Sequence, residues 1–190
     1  MLLSILTPTL NRRAHLYERV NTELHRQIMA GGYTEVVELL YSLDDGERSI
    51  GDKRNELVHR ASGLFVCHVD DDDSIASDYV RLIMTAIVTH PDVDCIGITG
   101  IISWNGRNKR AFRHSVACDE YSQDKEGYYR PPNHLNPVRR EIAARFPFPD
   151  KSKGEDTDWA MSLVEADALR YEAVVERPIY YYNYVHGKRY

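Results

Sequence analysis

The chain has 190 residues, of which 43% are hydrophobic, and a formal net charge of −5. A chain of this length can bury one packed hydrophobic core and is too short to form two stable domains. We therefore expect a single domain over residues 1–190. The acidic balance excludes a general polycationic surface of the kind that holds nucleic acid by counterion release. General nucleic-acid binding is therefore not expected.

Three cysteines, Cys67, Cys95 and Cys118, are odd in number and form no CxxC pair. Such cysteines are typical of free thiols in a reducing compartment and not of a disulfide framework. The first residues are apolar for too short a stretch to form a signal peptide, and no run of about 18 apolar residues occurs. We expect a cytoplasmic protein without integral membrane contact.

The first third of the chain alternates strand and helix patterns. Short apolar segments predict strands over residues 2–7, 35–43 and 64–69, and helical spacing predicts helices over 11–30 and 50–61. Strands that alternate with helices of this length favour a mainly parallel sheet flanked by helices. Ligands bind such sheets at the carboxyl ends of the strands.

The rest of the chain adds antiparallel and irregular segments. The predicted elements are a helix over 75–89, a strand over 94–103, its antiparallel hairpin partner over 109–115, a helix over 154–170 and one or two closing strands over 173–184. Residues 117–137 are rich in Tyr, Pro, Asn and charge. An irregular stretch of this length is usually functional or disordered, and we interpret it as a lid or acceptor loop.

Four consecutive aspartates, Asp70 to Asp73, follow the third apolar strand. Adjacent carboxylates repel one another unless a cation or hydrogen-bond donors gather around them. Oxygen ligands favour Mg²⁺ or Mn²⁺, which uses one or two protein carboxylates and completes its shell with water and phosphate oxygens. Asp70 and Asp72 share one face of an extended segment, so they are the expected pair. The alternative is a solvated acidic turn in which Asp73 or Ser74 caps the next helix.

Three sequence blocks together resemble the core of family 2 glycosyltransferases with the GT-A fold. The first is SILTPTLNRR at residues 4–13, similar to the first strand and nucleotide-binding loop of that family. The second is GDKRNELVHRASGLFVCHVDDDD at residues 51–73, where a helix, an Ala-x-Gly turn and an apolar strand lead into the DxD metal motif. The third is GEDTDW at residues 154–159, similar to the catalytic-base motif. The resemblance implies a single GT-A domain with a nucleotide- and metal-binding half, 1–103, and an acceptor-binding half, 104–190.

The resemblance also implies a nucleotide-sugar site at the carboxyl ends of the first three strands. The residues that correspond to its donor contacts are Thr7, Pro8, Thr9, Asp44 or Asp45, Lys53, Arg54, Asp70 and Asp71. Without the resemblance, Lys53 and Arg54 are ordinary surface charges of a helix. The sequence does not specify the base of the donor, and a UDP-sugar is the first choice.

A Mn²⁺ or Mg²⁺ cofactor follows from the same resemblance. Asp72 corresponds to the principal metal ligand and Asp70 to a ribose or metal contact, but the run of four aspartates leaves the register open by one residue. His186 is a candidate third ligand after the Tyr-rich final segment. Lys188 and Arg189 are candidate partners of the diphosphate, Arg189 in bidentate fashion. The alternative is that these residues form a solvated tail.

Glu155 and Asp156 stand at the start of a predicted helix, where the helix dipole stabilises negative charge. That effect alone explains two acids at this position. The resemblance implies instead that Asp156 is the general base that takes the proton from an acceptor hydroxyl, with Glu155 beside it. A base on one side and a metal-bound diphosphate on the other imply in-line displacement with inversion at the anomeric carbon.

The sequence says least about the acceptor, because residues 103–151 have no assignable counterpart in the family. Trp104 and His134 are candidate acceptor contacts, Trp104 as an aromatic platform. We expect a hydroxyl acceptor, with a glycan as the first choice and a modified nucleobase as an open alternative.

Two other functions remain as alternatives. A sugar nucleotidyltransferase uses a similar α/β topology and a metal, but no phosphate loop of the GxGxR type follows the first strand. A non-catalytic nucleotide-sugar-binding module would have no need of both the acidic metal motif and the Glu-Asp pair. The sequence therefore favours an enzyme.

Overall fold

Strands and helices alternate along the first third of the chain, as the periodicity predicts. The computed structural model describes residues 1–184. The strands are β1 (Leu3–Leu10), β2 (Val37–Asp44), β3 (Phe65–His68), β4 (Ser74–Ile75), β5 (Cys95–Trp104), β6 (Arg107–His114), β7 (Ser122–Gln123), β8 (Gly127–Arg130), β9 (Val138–Arg139) and β10 (Glu172–Tyr184). The helices are α1 (Ala14–Gly31), α2 (Ile50–Arg60), α3 (Tyr79–Thr89), α4 (Arg140–Ala143) and α5 (Glu155–Glu165).

β1 is the central strand of the first half and is buried from Leu3 to Thr9. It pairs in parallel with β2 on one side and with β3 on the other. Parallel strands that are covered on both faces consist of near-continuous apolar runs, which explains the composition of β1. After β1 the chain turns into α1, and Gly32 caps the C-terminal end of this helix. The φ of Gly32 is 69°, the left-handed conformation that glycine adopts freely.

β9 joins the two halves of the sheet. It is antiparallel to both β3 and β5, so β3 and β5 run in the same direction. β5 pairs in parallel with β10 and antiparallel with β6, through a turn at Asn105 and Gly106 that both have positive φ. The carboxyl ends of β1, β2, β3, β5 and β10 therefore lie at one edge of a mainly parallel sheet with an antiparallel hairpin. This arrangement confirms the predicted α/β architecture.

Helices cover both faces of the sheet. On one face, α1 and α3 bury Leu24 and Ile83 in the larger hydrophobic cluster. On the other face, α2, α4 and α5 bury Leu57, Ile142 and Leu163 in a second cluster. The sheet lies between the two clusters, and this packing keeps the strand ends in a fixed arrangement. Among residues 1–184, no helix is both long and apolar enough to cross a bilayer.

The helix predicted over 75–89 begins later than expected. It starts at Tyr79, because Ser74–Ile75 forms the short strand β4 against β10. The Ala76 N–H also donates to the Ile179 carbonyl at 2.9 Å. Pairing with β10 satisfies the backbone groups here, so the chain stays extended for several residues after the aspartate run.

The segment interpreted as a lid, residues 117–137, is only partly a loop. It contains β7 and β8, and residues 131–137 are buried. The Asn136 side-chain amide donates to the Ile96 carbonyl at 2.9 Å, and its oxygen accepts from the Asn133 N–H at 3.0 Å. These bonds fix the second part of the segment against β5. That part is packed structure, and the lid interpretation is wrong for it.

Gly51 lies in the first turn of α2, where the helix meets the chain after α4. A Cβ added at Gly51 would clash with the backbone carbonyl of Pro149, which cannot move aside as a flexible side chain can. We expect Gly51→Ala to lower the free energy of unfolding by about 1–3 kcal/mol, the usual cost of overpacking. Urea unfolding measures it. His59→Ala, at an exposed position of the same helix, is the control and should cost less than about 0.5 kcal/mol. An unchanged urea midpoint for Gly51→Ala would contradict this close contact.

Candidate active site

The four-aspartate run after β3 contains two buried carboxylates and two that are partly exposed. Asp71 is 3% exposed, and its carboxylate accepts a hydrogen bond from Thr9 Oγ1 at 2.6 Å and pairs with Arg13. Burial raises the pKa of Asp71, although Thr9 and Arg13 act against this rise. Asp73 is also buried and accepts a hydrogen bond from the Tyr180 hydroxyl at 2.8 Å. These two carboxylates are therefore held by the protein interior.

Asp70 and Asp72 are the partly exposed members of the run. Their side chains are 29% and 13% exposed. The run is not the extended segment that the alternation argument assumes, because residues 71 and 72 form a turn that the Asp73 N–H closes on the Asp70 carbonyl at 3.2 Å. The Asp72 Oδ2 atom lies 3.0 Å from Arg13 Nη2. The backbone N–H of Asp70 donates to the Tyr180 hydroxyl oxygen at 3.1 Å, which anchors the start of the run to β10.

Arg54 of α2 connects the aspartate run to α5. Its guanidinium is buried, with Nη2 3.0 Å from Asp70 Oδ1 and Nε 3.3 Å from Glu155 Oε1. Burial alone would lower the pKa of Arg54, but the carboxylates of Asp70 and Glu155 raise it above its ordinary value. Burial would likewise raise the pKa of Asp70, yet Arg54 and His134 hold that pKa well below its ordinary range. Arg54 is therefore a buried charged centre and not a surface charge of the helix.

His134, from the buried segment before β9, links the aspartate run to Asp156 of α5. Its Nε2 lies 3.4 Å from Asp70 Oδ2, and its Nδ1 lies 3.6 Å from Asp156 Oδ2. Asp156 follows Glu155 in the first turn of α5, and Glu155 contacts Arg54. The structure thus brings the predicted metal motif and the predicted catalytic pair into one cluster.

Lys53 is adjacent to Arg54 on α2 but points to the ends of β1 and β2. Its ammonium donates to the Thr9 carbonyl at 2.7 Å and pairs with Asp44. Asp44 also accepts from the backbone N–H of Gly46 at 3.0 Å. Burial would raise the pKa of Asp44, but Lys53 and the backbone donors lower it, so the carboxylate stays charged. Lys53 thus connects two other predicted nucleotide contacts, Thr9 and Asp44, at the sheet edge.

The remaining predicted nucleotide contacts surround this group. Asp45 is exposed beyond β2, where its Oδ1 accepts a hydrogen bond from Asn11 Nδ2 at 2.9 Å. Thr7 and Pro8 are buried inside β1. Thr9 follows them, so it is the member of the three that lies nearest to the sheet edge.

Trp104 lies away from the cluster, at the far end of β5. Gly100 of β5 pairs with Tyr180, whose hydroxyl contacts Asp70. Trp104 is four residues further along the strand, a rise of about 13 Å, and its ring centroid lies 6.0 Å from that of Tyr128. The two predicted acceptor contacts, Trp104 and His134, are therefore not side by side.

Sequence reasoning missed three residues of the site. Arg13 pairs with two aspartates of the run, and the only available signal was its place at the end of the first family-like block. Tyr180 contacts the same run through its hydroxyl. His68 is buried with its ring 6.2 Å from that of His134, and burial lowers its pKa well below the ordinary value. Neither of these last two has a local signal, because their partners are distant in sequence.

The donor set at the sheet edge suits a divalent cation. Asp70 and Asp72 offer carboxylate oxygens, and Mg²⁺ or Mn²⁺ takes one or two of these and leaves its other positions to water and phosphate. Within residues 1–184, no group of three or more His, Cys, Asp or Glu side chains is arranged to hold a metal ion. The predicted ligand His186 and the predicted phosphate contacts Lys188 and Arg189 lie outside the described residues.

The fold is similar to that of solved structures of S. aureus TarS. A crystal structure of TarS 1-349 aligns with a TM-score of 0.65 and 18% identity, over 96% of this chain and 60% of that chain. The complex of the same TarS segment with UDP-GlcNAc aligns with a TM-score of 0.66 and 16% identity, over 99% and 60% of the two chains. The complex with UDP aligns with a TM-score of 0.67 and 18% identity, over 96% and 60%.

This chain therefore spans about 60% of the length of these three TarS chains. No protein-family model and no curated protein matches it. At this level of identity the likeness to TarS shows the fold alone. The chain shares the mixed α/β fold of TarS, with a central, mostly parallel sheet flanked by helices.

Proposed function

We propose that the chain is a metal-dependent, inverting glycosyltransferase of the family 2 type, which moves a sugar from a nucleoside-diphosphate sugar to a hydroxyl acceptor. A UDP-sugar is the first choice of donor, because TarS has the same fold and forms complexes with UDP-GlcNAc and with UDP. The observation that carries the proposal is a series of side-chain contacts that joins the aspartate run to both acids at the start of α5. The side chains involved are Asp70, Arg54, Glu155, Asp156 and His134.

The donor side lies at the ends of β1, β2 and β3. Lys53 ties Asp44 to the Thr9 carbonyl, which gives this corner a fixed shape against which a nucleoside can rest. Asp70 and Asp72 are the residues that would hold Mn²⁺ or Mg²⁺ beside the diphosphate. Such an ion, when bound, neutralises the charge that develops on the leaving nucleoside diphosphate.

Asp156 is the proposed general base. The acceptor oxygen forms a bond to the anomeric carbon while the bond from that carbon to the diphosphate oxygen breaks. The acceptor proton passes to a carboxylate oxygen of Asp156, and the electron pair of the broken bond leaves with the nucleoside diphosphate. Attack from the side opposite the leaving group inverts the configuration. Asp156 suits this role because its side chain is 29% exposed, whereas Glu155 is buried against Arg54.

The two alternative functions, a nucleotidyltransferase and a non-catalytic binding module, do not need a general base. A nucleotidyltransferase attacks with a sugar phosphate, which is already anionic at neutral pH, and a binding module has no reaction to assist. A hydroxyl acceptor, by contrast, is a poor nucleophile that gains from a carboxylate beside it. The partly exposed Asp156, at the opposite side of His134 from Asp70, therefore favours transfer to a hydroxyl. A glycan is the first choice of acceptor.

The metal proposal predicts that nucleotide affinity depends on Mn²⁺ through Asp72. We expect wild-type protein to bind UDP at least about tenfold more tightly with Mn²⁺ than with EDTA, a difference of about 1.4 kcal/mol. In Asp72→Asn, which loses a ligating charge but keeps its size, the difference should fall below about threefold. Calorimetry measures both, and Asp92→Asn, at an exposed aspartate after α3, is the matched control. Equal UDP affinity with Mn²⁺ and with EDTA in the wild type would rule out the metal assignment.

The base proposal predicts a slow but intact enzyme when Asp156 loses its basicity. A panel of UDP-sugars is first screened with Mn²⁺ for the one that raises the melting temperature of the protein most, because a ligand that binds the native state stabilises it. That UDP-sugar is then used as the donor. Asp156→Asn should bind this donor normally and release UDP on the order of 10²-fold more slowly. Asp158→Asn removes an acid from the same first turn, so it controls for the dipole effect of about 0.3–1 kcal/mol. A normal rate in folded Asp156→Asn would place the base elsewhere.

A further inference from the structure

The backbone of His134 is held on both sides. The residue lies within 131–137, which is buried throughout. The Asn133 side-chain oxygen accepts from the Leu135 N–H at 3.0 Å, which closes a tight turn around His134. The His134 carbonyl in turn accepts from the N–H of His68 on β3 at 2.8 Å. Because the turn and the strand both hold this backbone, the imidazole ring is presented in one place.

The His134 ring lies between two carboxylates that have different parts in the proposed reaction. Nε2 faces Asp70 at 3.4 Å and Nδ1 faces Asp156 at 3.6 Å, and the ring is only 7% exposed. The buried Nδ1 atom has no hydrogen-bond partner at standard distance within residues 1–184. Among the same residues, no side chain donates a hydrogen bond at standard distance to the Asp156 carboxylate, and His134 Nδ1 is a ring nitrogen that faces it.

We propose that His134 is a positioning residue, whose Nδ1 holds the Asp156 carboxylate toward the acceptor hydroxyl while Asp70 holds the ring through Nε2. This inference rests on the proposed function, in which Asp156 is the base. The 3.6 Å distance is longer than a hydrogen bond, and catalytic hydrogen bonds commonly tighten only when substrate is bound. His134 acts through Asp156 and is not an acceptor contact in its own right.

Three substitutions of His134 separate its two contacts. His134→Asn keeps an amide nitrogen near the Nδ1 position, His134→Gln keeps one near the Nε2 position, and His134→Ala keeps neither. A misplaced base costs up to about 10²-fold in rate. We therefore expect Ala and Gln to lower kcat for UDP release by about 10- to 10²-fold, with donor KM changed less than about threefold. Asn should recover most of the lost kcat. Calorimetry with UDP and Mn²⁺ gives a measure of donor affinity that does not depend on turnover.

A double-mutant cycle then tests whether His134 acts through Asp156. If it does, His134→Ala combined with Asp156→Asn is no slower than Asp156→Asn alone. The proposal is overturned if the losses in kcat of the two single variants multiply in the double variant. It is also overturned if His134→Gln recovers more kcat than His134→Asn, or if folded His134→Ala has the wild-type kcat. If His134→Ala does not fold, the comparison of Asn with Gln decides. A wild-type protein that releases no UDP counts against the proposed function instead, and this is seen before any His134 variant is made.

Discussion

A buried guanidinium is the interaction on which the candidate site depends. Arg54 is 3% exposed and lies between Asp70, at the end of β3, and Glu155, at the start of α5. Burying a carboxylate without a partner is costly, and removal of one member of a buried ion pair commonly costs about 3–5 kcal/mol. The buried Glu155 carboxylate is therefore tolerated at its position because Arg54 is there, and the same guanidinium holds the partly exposed Asp70. The same contact joins the two sequence motifs that the proposed reaction needs.

The helix that carries Arg54 organises the rest of the sheet edge. Successive residues of a helix point about 100° apart, so Lys53 and Arg54 reach different strand ends from neighbouring positions. Lys53 holds the ends of β1 and β2, and Arg54 holds the end of β3 against α5. α2 can do this because its own start is well anchored: the Ser49 side chain caps it, and Gly51 lies directly against the backbone of Pro149. A one-residue slip of α2 would disrupt both groups at once.

What the sequence predicts well depends on local patterns. The first strands and helices have the expected positions within a few residues. The aspartate run is an exception, because it forms a turn and not the extended segment on which the expected alternation depends. The features that could not be predicted depend on contacts between distant parts of the chain. β4 exists through pairing with β10, and the burial of His134 depends on its contact with His68. Tyr180 is one of three consecutive tyrosines, so the sequence does not show which of them points inward. The pairing register of β10 with Gly100 of β5 and with β4 buries Tyr180, whereas Tyr181 is 38% exposed.

The aspartate run shows how a cluster of like charges becomes tolerable without losing its chemistry. Four adjacent carboxylates repel one another, but the turn that they form places them in different surroundings. Asp71 meets Thr9 and Arg13, and Asp73 meets the Tyr180 hydroxyl, so the inward pair is held by donors of the protein itself. The outward pair then carries the only charge of the run that remains partly exposed, at the edge where ligands of parallel sheets bind. The two inward residues thus anchor the turn that carries the two partly exposed ones, at the edge where we propose that a cation binds.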